Sequence, residues 1–363
     1  MAHRTIISTL AGLGLALLYS ADAVGFQFLK CDGNPIKWSQ PFGTTQNLCS
    51  IPVGSSQSGA YVNAIDRWNA IRGMFDMVFH SNAWPAGHCT VSVGDEWNDV
   101  ALVDTSDIDG AAGRTFWESD CEELEKVDIL IANLDSQSFT NPDEAFGFDP
   151  FQPLNTGFDA FVHEFGHAHG LAIATEDTGD NHPMNFSIMR PAFPAPHGGG
   201  GAGVAHSRPM PDDAAGGRFL YPSGKSEVNV FASAQRLLSS PNSIVETAAV
   251  GTVNKCRGDA VSFQWTTANR GTVPVTSDQR FYMAKSPTAH SQSGVTMATW
   301  FGATVNAEKR VSVPISVNVP CGTPTGLYWV YHAADAGNKV AESVESDNVV
   351  HNAMTIQVLN CGC

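Results

Sequence analysis

The residues best suited to chemistry lie in HEFGH, at positions 163–167. His163 and His167 are four apart, so a helix puts both imidazoles on one face, one turn apart, where they can grip one metal ion. Glu164 follows the first histidine and comes near such a metal without filling a ligand position. Zinc held this way lowers the pKa of water towards neutrality, and a carboxylate beside it can take the proton and pass it to a leaving amine. Phe158, Phe161, Val162 and Phe165 give the segment an apolar face, which predicts a helix over 156–169. Gly170 then stands where a left-handed C-cap is wanted. The plain alternative is a surface helix carrying two coincidental histidines. Ser187-Ile188-Met189 come later, and a Met in such an apolar pair is ordinary core filling unless it turns beneath the metal.

HEFGHAHG with the later SIM resembles the metzincin zinc endopeptidases, whose pattern is HExxHxxGxxH followed by a methionine turn. PDDAAGGRFLYP resembles the closing helix of the matrixin branch, with its paired aspartates and terminal Leu-Tyr. IDRWNAI and VDILIAN resemble that branch's first helix and the strand before its zinc helix. The likeness covers most of residues 35–222. It implies one catalytic Zn2+ held by His163 and His167, Glu164 as general base, and Met189 as the methionine of the turn. The departure is Ile173, which occupies the third-ligand position and cannot bind zinc, whereas a hydrolytic zinc normally has three protein ligands and a water. His182, seven residues before Met189, is the first candidate for that ligand, brought back by a loop inserted at 172–181. Asp177 and Asp180 come next. An alignment through Glu176-Asp177 instead leaves Thr175 in the slot and implies a damaged site. His169 lies about 200° round the helix from His167 and faces away. His197 and His206 follow the methionine turn in a glycine-rich loop.

The same likeness makes residues 190–193 a wall of the primary specificity pocket, with Arg190 either tuning it or simply exposed. It makes GRTFW, 113–117, the antiparallel edge strand along which an extended peptide binds by main-chain hydrogen bonds. An ordinary paired strand with Phe116 or Trp117 turned inward is the equal alternative. Cys31, in KCDGN, resembles the family's zinc-capping thiolate too loosely, and a disulfide with Cys49 is the expectation. The stretch between Ala23 and PIKWS is too short for a full inhibitory propeptide.

Composition sets the frame for this chemistry. The chain of 363 residues suggests two domains. It is 43% hydrophobic and 15% charged, with 34 Gly and 20 Pro, which favours turn-rich β structure over long helices. A net charge of −16 argues against nonspecific binding to nucleic acid or anionic membrane. Residues 1–23 read as a secretory signal: basic MAHR, apolar TIISTLAGLGLALLYS, and small residues before a cleavage site after Ala23. No later stretch has the apolar length to span a bilayer. A secreted, extracellular protein is expected, with the periplasm as the alternative compartment. Eight cysteines, four in each half and none in CxxC spacing, suggest disulfides within halves. Asp104, Asp107 and Asp109 in DTSDIDG offer either an oxygen-rich Ca2+ loop or an acidic turn.

Four segments follow: the signal (1–23), a catalytic unit (24–222), a linker (223–229) and a second unit (230–363). In the first, PIKWS is a candidate first strand and AYVNAIDRWNAI a helix. MFDMVF, DVALVD, GRTFW and VDILIANL are strands, and PDDAAGGRFLYP is a short helix ending at Pro222. A mixed sheet backed by helices fits this order. In the second, AVSFQWTTANRGTVPV alternates, with Val261, Phe263, Trp265 and Thr267 on one face and a turn at Asn269-Arg270-Gly271. RVSVPISVNVP and GLYWVYHAAD alternate too, so an immunoglobulin-like sandwich of about seven strands is expected. ANRGTVPV and VAESVESDNVV resemble the CARDB-type adhesion modules, which implies a surface or polymer ligand, against the simpler role of folded spacer.

The expected fold class is therefore α+β, a metzincin-type domain followed by an all-β immunoglobulin-like sandwich. The expected function is a secreted zinc endopeptidase acting on protein or peptide substrates. Its rivals are a protease-derived binding protein whose zinc site has decayed, for which Ile173 speaks, and an adhesion protein led by the sandwich. Glu164 speaks against pure binding, which needs no general base.

Overall fold

The computed structural model describes residues 20–21, 26–39, 45–49, 51, 54–71, 78–80, 98–109, 111–121, 123–134, 139, 156–174, 188–189, 209–222, 224–238, 252–286, 293–343 and 348–361. The first domain is a five-stranded mixed sheet with helices packed on it. Its strands are β1 (Thr45–Cys49), β2 (Val78–His80), β3 (Asp99–Val103), β4 (Gly113–Ser119) and β5 (Leu124–Ala132). The order is β2-β1-β3-β5-β4; every neighbouring pair is parallel except β5 with β4, which is antiparallel and leaves β4 at an edge.

Helix α1 (Ser56–Asn69) begins at Ser55, whose side chain accepts from Ser58 N–H and so caps an orphan donor. Its apolar stripe puts Tyr61, Ile65 and Trp68 into the core. Helix α2 (Thr156–Ala168) meets it there, with Phe158, Phe161 and Phe165 fully buried. The Trp68 indole N–H donates to Val162 O at 2.8 Å, which fixes the two helices together. Gly170 turns the chain with φ +90°; a β-carbon there would also lie 2.8 Å from Ile36 O, so glycine is required twice over. The chain then forms a short strand, Leu171–Ala172, antiparallel to Gln27–Phe28.

PIKWS corrects one expectation. It supplies no strand of the main sheet, whose first strand is Thr45–Cys49; Pro35 ends a two-residue strand paired with Lys30–Cys31, and Lys37 makes a bridge to Glu123. Two of its side chains are engaged with helix ends instead, and Ile36 packs into the core. The Trp38 indole N–H donates to Ala168 O at 2.7 Å, satisfying a terminal carbonyl of α2, and Lys37 Nζ donates to Leu220 O at 2.9 Å. Cys31 corrects another, since it is bonded to Cys121 and not to Cys49. Cys121 sits at the β4–β5 turn, beside which the Lys37 segment runs, while Cys49 is buried in the sheet with Ala101, Ile108 and Leu130. Cys49 is itself disulfide-bonded.

Helix α3 (Pro211–Leu220) closes the domain, with Ala214 and Leu220 in the core. Over the DTSDIDG stretch the chain makes a 3-10 turn, Thr105–Ile108, and the Asp109 carboxylate pairs with Arg114 at 2.8 Å.

The second domain is a two-sheet sandwich. One sheet holds β6 (Val230–Leu238), β8 (Ala260–Asn269) and β11 (Lys309–Asn318), with Ser20–Ala21 added beside β11. The other runs β7 (Thr252–Cys256), β13 (Val349–Leu359), β12 (Gly326–Ala333), β9 (Val275–Ala284), β10 (Val295–Val305). That is eight strands among the described residues 230–359, where about seven were expected. Val261, Phe263, Trp265 and Thr267 all face the buried side, as their alternation implies. Trp265 and Phe263 pack on Phe281, and Thr267 donates to the buried Gln279 at 2.8 Å. Cys256–Cys361 ties β7 to the chain beyond β13, so both described disulfides lie within halves. Among the described residues no helix is long and apolar enough to cross a membrane.

Candidate metal centre

His163 and His167 come together on α2 with ring centroids 4.8 Å apart and ring planes at 86°. Each ring is anchored by its Nδ1. His163 Nδ1 lies 2.6 Å from Ile188 O, and His167 Nδ1 lies 2.8 Å from Leu171 O. A carbonyl oxygen only accepts, so both Nδ1 atoms carry the proton and both Nε2 atoms keep a lone pair. This is the tautomer a metal-binding histidine needs, fixed by backbone. Burial pushes the His163 pKa down to about 3, helped by the neighbouring His167 and opposed by the bond to Ile188. Burial lowers His167 likewise. Both imidazoles are therefore neutral near pH 7 and ready to donate electron pairs.

Glu164 is 5% exposed. Its Oε2 accepts from the Thr115 hydroxyl on β4 at 2.6 Å. A β-carbon on Gly113 would lie 2.8 Å from Glu164 Cγ and Oε1, so the edge strand passes as close as a glycine allows. Burial raises the Glu164 pKa from 4.5 to about 7, with the Thr115 bond and the Arg114 charge pulling the other way. A carboxyl with a pKa near the working pH is well matched to moving protons. Thr115 and Gly113 were invisible to sequence reasoning in this role: GRTFW reads as a strand, but nothing in it says that its third residue meets Glu164.

Met189 is 2% exposed and sits in a turn with Ile188. Its sulfur lies against Gly166, where any β-carbon would overlap it. The turn is held from two sides: Met189 O accepts from Ala174 N–H at 2.8 Å, and Ile188 N–H donates to Asp213 Oδ2 at 3.0 Å. Asp213, on α3, also accepts from Met210 N–H at 2.8 Å. One of the two aspartates singled out in PDDAAGGRFLYP thus holds, by its N–H, the residue whose carbonyl orients His163.

His169 lies in the core, stacked on Trp68 at 5.1 Å, with Nδ1 bound to Phe165 O. It takes no part in the site. Ile173 is 47% exposed, beyond the Leu171–Ala172 strand. His182, Asp177, Asp180, Thr175, Arg190, His197 and His206 lie outside the described residues. Cys31 has no free thiol, being bonded to Cys121. On β4, Phe116 and Trp117 are both exposed, and a cavity of about 230 Å³ runs along Thr115 to Glu118, with Lys126 and Asp128 in its wall. The two histidines and their tautomers suit zinc, and Glu164, next to His163 in the helix, carries a buried carboxyl able to exchange a proton near neutral pH.

No family model and no curated protein sequence matches the chain. Among solved structures it is similar to the CARDB domain of a Pyrococcus furiosus protein in complex with di-metal ions, at 15% identity over 37% of this chain and 90% of that one, TM-score 0.25. It is similar to a domain named as part of a cell surface protein from Methanosarcina acetivorans, at 18% identity over 35% of this chain and 94% of that one, TM-score 0.22. It is also similar to beta-glucosidase from Listeria innocua in complex with glucose, at 14% identity over 44% of this chain and 20% of that one, TM-score 0.23. CARDB domains are thus among its structural neighbours. The sandwich itself rests on the strand pairing described above, and no function follows from these likenesses.

Proposed function

We propose that the protein is a secreted zinc endopeptidase of metzincin type, with His163 and His167 holding the metal and Glu164 acting as general base. One observation carries this reading: both histidines donate Nδ1–H to backbone carbonyls, 2.6 Å and 2.8 Å away, which puts the lone pair of each ring on Nε2. His169 is held through Nδ1 in the same way, so what sets His163 and His167 apart is that their rings also meet, with centroids 4.8 Å apart. Zinc, when bound, supplies Lewis acidity that polarises a carbonyl and brings the pKa of water near neutrality. Glu164, held by Thr115, accepts a proton from the attacking water and delivers it to the leaving amine. The edge of β4, unpaired among the described residues, offers main-chain groups to an extended peptide, and exposed Phe116 and Trp117 offer apolar contact beside it. His182 is the third ligand in this reading, and the sandwich localises the enzyme on a surface or polymer.

The rival, a decayed site retained for binding, is favoured by Ile173. The two separate in one experiment: metal content and casein hydrolysis of the secreted protein and of His182→Ala, each chelated and resupplied with zinc. Activity that vanishes with chelator, returns with zinc and is lost in the variant supports the peptidase with His182 as ligand. A correctly folded wild type that binds no zinc and cleaves nothing overturns it.

A further inference from the structure

Helix α3 stands between the metal helix and the second domain, and both its ends are held from the sandwich side. At its N-cap, Met210 is buried together with Phe231 of β6 and Ala268 of β8. Near its C-terminus, the Arg218 guanidinium, nine-tenths buried, pairs with two carboxylates. Nη1 donates to Glu308 Oε1 at 2.9 Å, in the turn between β10 and β11, and Nη2 donates to Glu227.

Glu227 belongs to the segment expected to be a linker, yet it is 1% exposed. Its other carboxylate oxygen accepts from Ser343 Oγ at 2.9 Å, its N–H donates to Thr272 Oγ1 at 2.8 Å, and its carbonyl accepts from Thr272 N–H at 2.9 Å. Val228 O and Val230 N–H are likewise tied to Ser343 and Glu342. A buried guanidinium between two carboxylates makes directional, charge-assisted bonds, and removing one side leaves an uncompensated charge. The connection is a stitched joint rather than a tether.

The path continues to the metal site. Asp213 lies on α3 between Met210 and Arg218, and it accepts from Ile188 N–H at 3.0 Å. The Ile188 carbonyl sets the His163 tautomer. We propose that the second domain is a clamp for the metal site, with Arg218 as its positioning residue: through α3 and Asp213 it holds residue Ile188 by its N–H, so that its carbonyl stays where His163 must donate. The functional consequence rests on the assignment of His163 as a metal ligand; the coupling itself exists in the metal-free chain and is measured there.

The test uses the full chain, metal-free, with 15N-labelled histidine, as wild type, E308Q and R218Q/E227Q. The double variant removes both buried charges together, so neither is left alone. The readouts are the His163 tautomer by long-range 1H–15N NMR, hydrogen exchange at the Ile188 amide, and zinc affinity by chelator competition. Exchange at Ile188 should quicken about tenfold, His163 should lose its single Nδ1–H tautomer, and zinc affinity should fall about tenfold, the usual effect of losing an outer partner of a ligand. E308Q should move each readout in the same direction, and it decides if the double variant does not fold. Folded variants with wild-type Ile188 protection and an unchanged His163 tautomer overturn the clamp. A wild type that binds no zinc, with variants that still release Ile188, overturns the peptidase reading and leaves the clamp standing.

Discussion

Gly166 lies between the two histidines on α2, and replacing it by alanine tests how closely Met189 bears on that helix. In a helix, Gly to Ala ordinarily stabilises by about 1 kcal/mol. Here the added carbon would overlap the Met189 sulfur and lie 2.8 Å from Trp68 Cζ2. Neither neighbour can withdraw freely. Met189 is buried, with its carbonyl held by Ala174 N–H, and Trp68 is fixed by its bond to Val162 O at 2.8 Å. Overpacking a core costs about 1–3 kcal/mol, so after the propensity gain G166A should lose about 1 kcal/mol net. Calorimetry of the metal-free full chain reads this as a lower transition temperature for the first domain. The double variant sharpens the test. M189A alone should lose about 2–5 kcal/mol, and with the sulfur gone only the Trp68 contact still opposes G166A, which should then be about neutral, giving a coupling of about 1 kcal/mol. A G166A protein that melts higher than wild type, or a strictly additive double variant, refutes the contact and with it the packing basis of the methionine turn.

Glu164→Gln should change the pH dependence of metal-free stability. The folded carboxyl titrates at about 7 and the ordinary value is 4.5, so folded protein keeps a proton that unfolded protein has released. Wild-type stability therefore falls as pH rises from 4.5 through 7, by about 3 kcal/mol at 1.36 kcal/mol per unit. Denaturation in chelator should find E164Q the more stable above pH 7 and level with wild type near pH 4; parallel profiles would sink the argument. Asp213→Ala leaves the N–H groups of Ile188 and Met210 without their carboxylate acceptor. It should lose about 2–4 kcal/mol by urea titration and weaken zinc binding about tenfold, whereas a substitution neutral in both would detach α3 from the site. Cys31→Ala/Cys121→Ala opens a loop of 90 residues, for which chain entropy predicts a loss of about 4–5 kcal/mol. Urea titration of the first domain checks it, and a midpoint unmoved from wild type would mean that the bridge is not formed in solution.

What could be read from the sequence is what repeats locally. The expected helix at 156–169 is Thr156–Ala168, because its four aromatic and aliphatic positions define one face without any help from the rest of the chain. Gly170 in the left-handed region follows from the same local logic. The alternation of Val261, Phe263, Trp265 and Thr267 placed a whole strand of the sandwich. Thr45–Cys49 was missed because TQNLC carries little strand propensity, and its place in the sheet comes from parallel pairing with β2 and β3. PIKWS misled in the opposite sense: its Ile, Lys and Trp suit a strand, but Ile36 packs into the core while Lys37 and Trp38 serve to close helix ends. Cys31 pairs with the distant Cys121 because the chain path brings them together, which spacing along the sequence does not encode.

The site divides along the same line. HEFGH announces two donors and a base because helical geometry alone puts them on one face. Whether those donors can bind a metal depends on which ring nitrogen holds the proton, and that is decided by the carbonyls of Ile188 and Leu171. One is set by Leu171, four residues on and just past the Gly170 turn, a local matter. The other depends on a turn 25 residues away and on an aspartate on a third helix. That helix is gripped by a domain which shares no sequence signal with the first. The chemistry-bearing residues are thus legible because their spacing is short. Their competence is not, because it is assembled from backbone groups, which every residue has and no motif can mark.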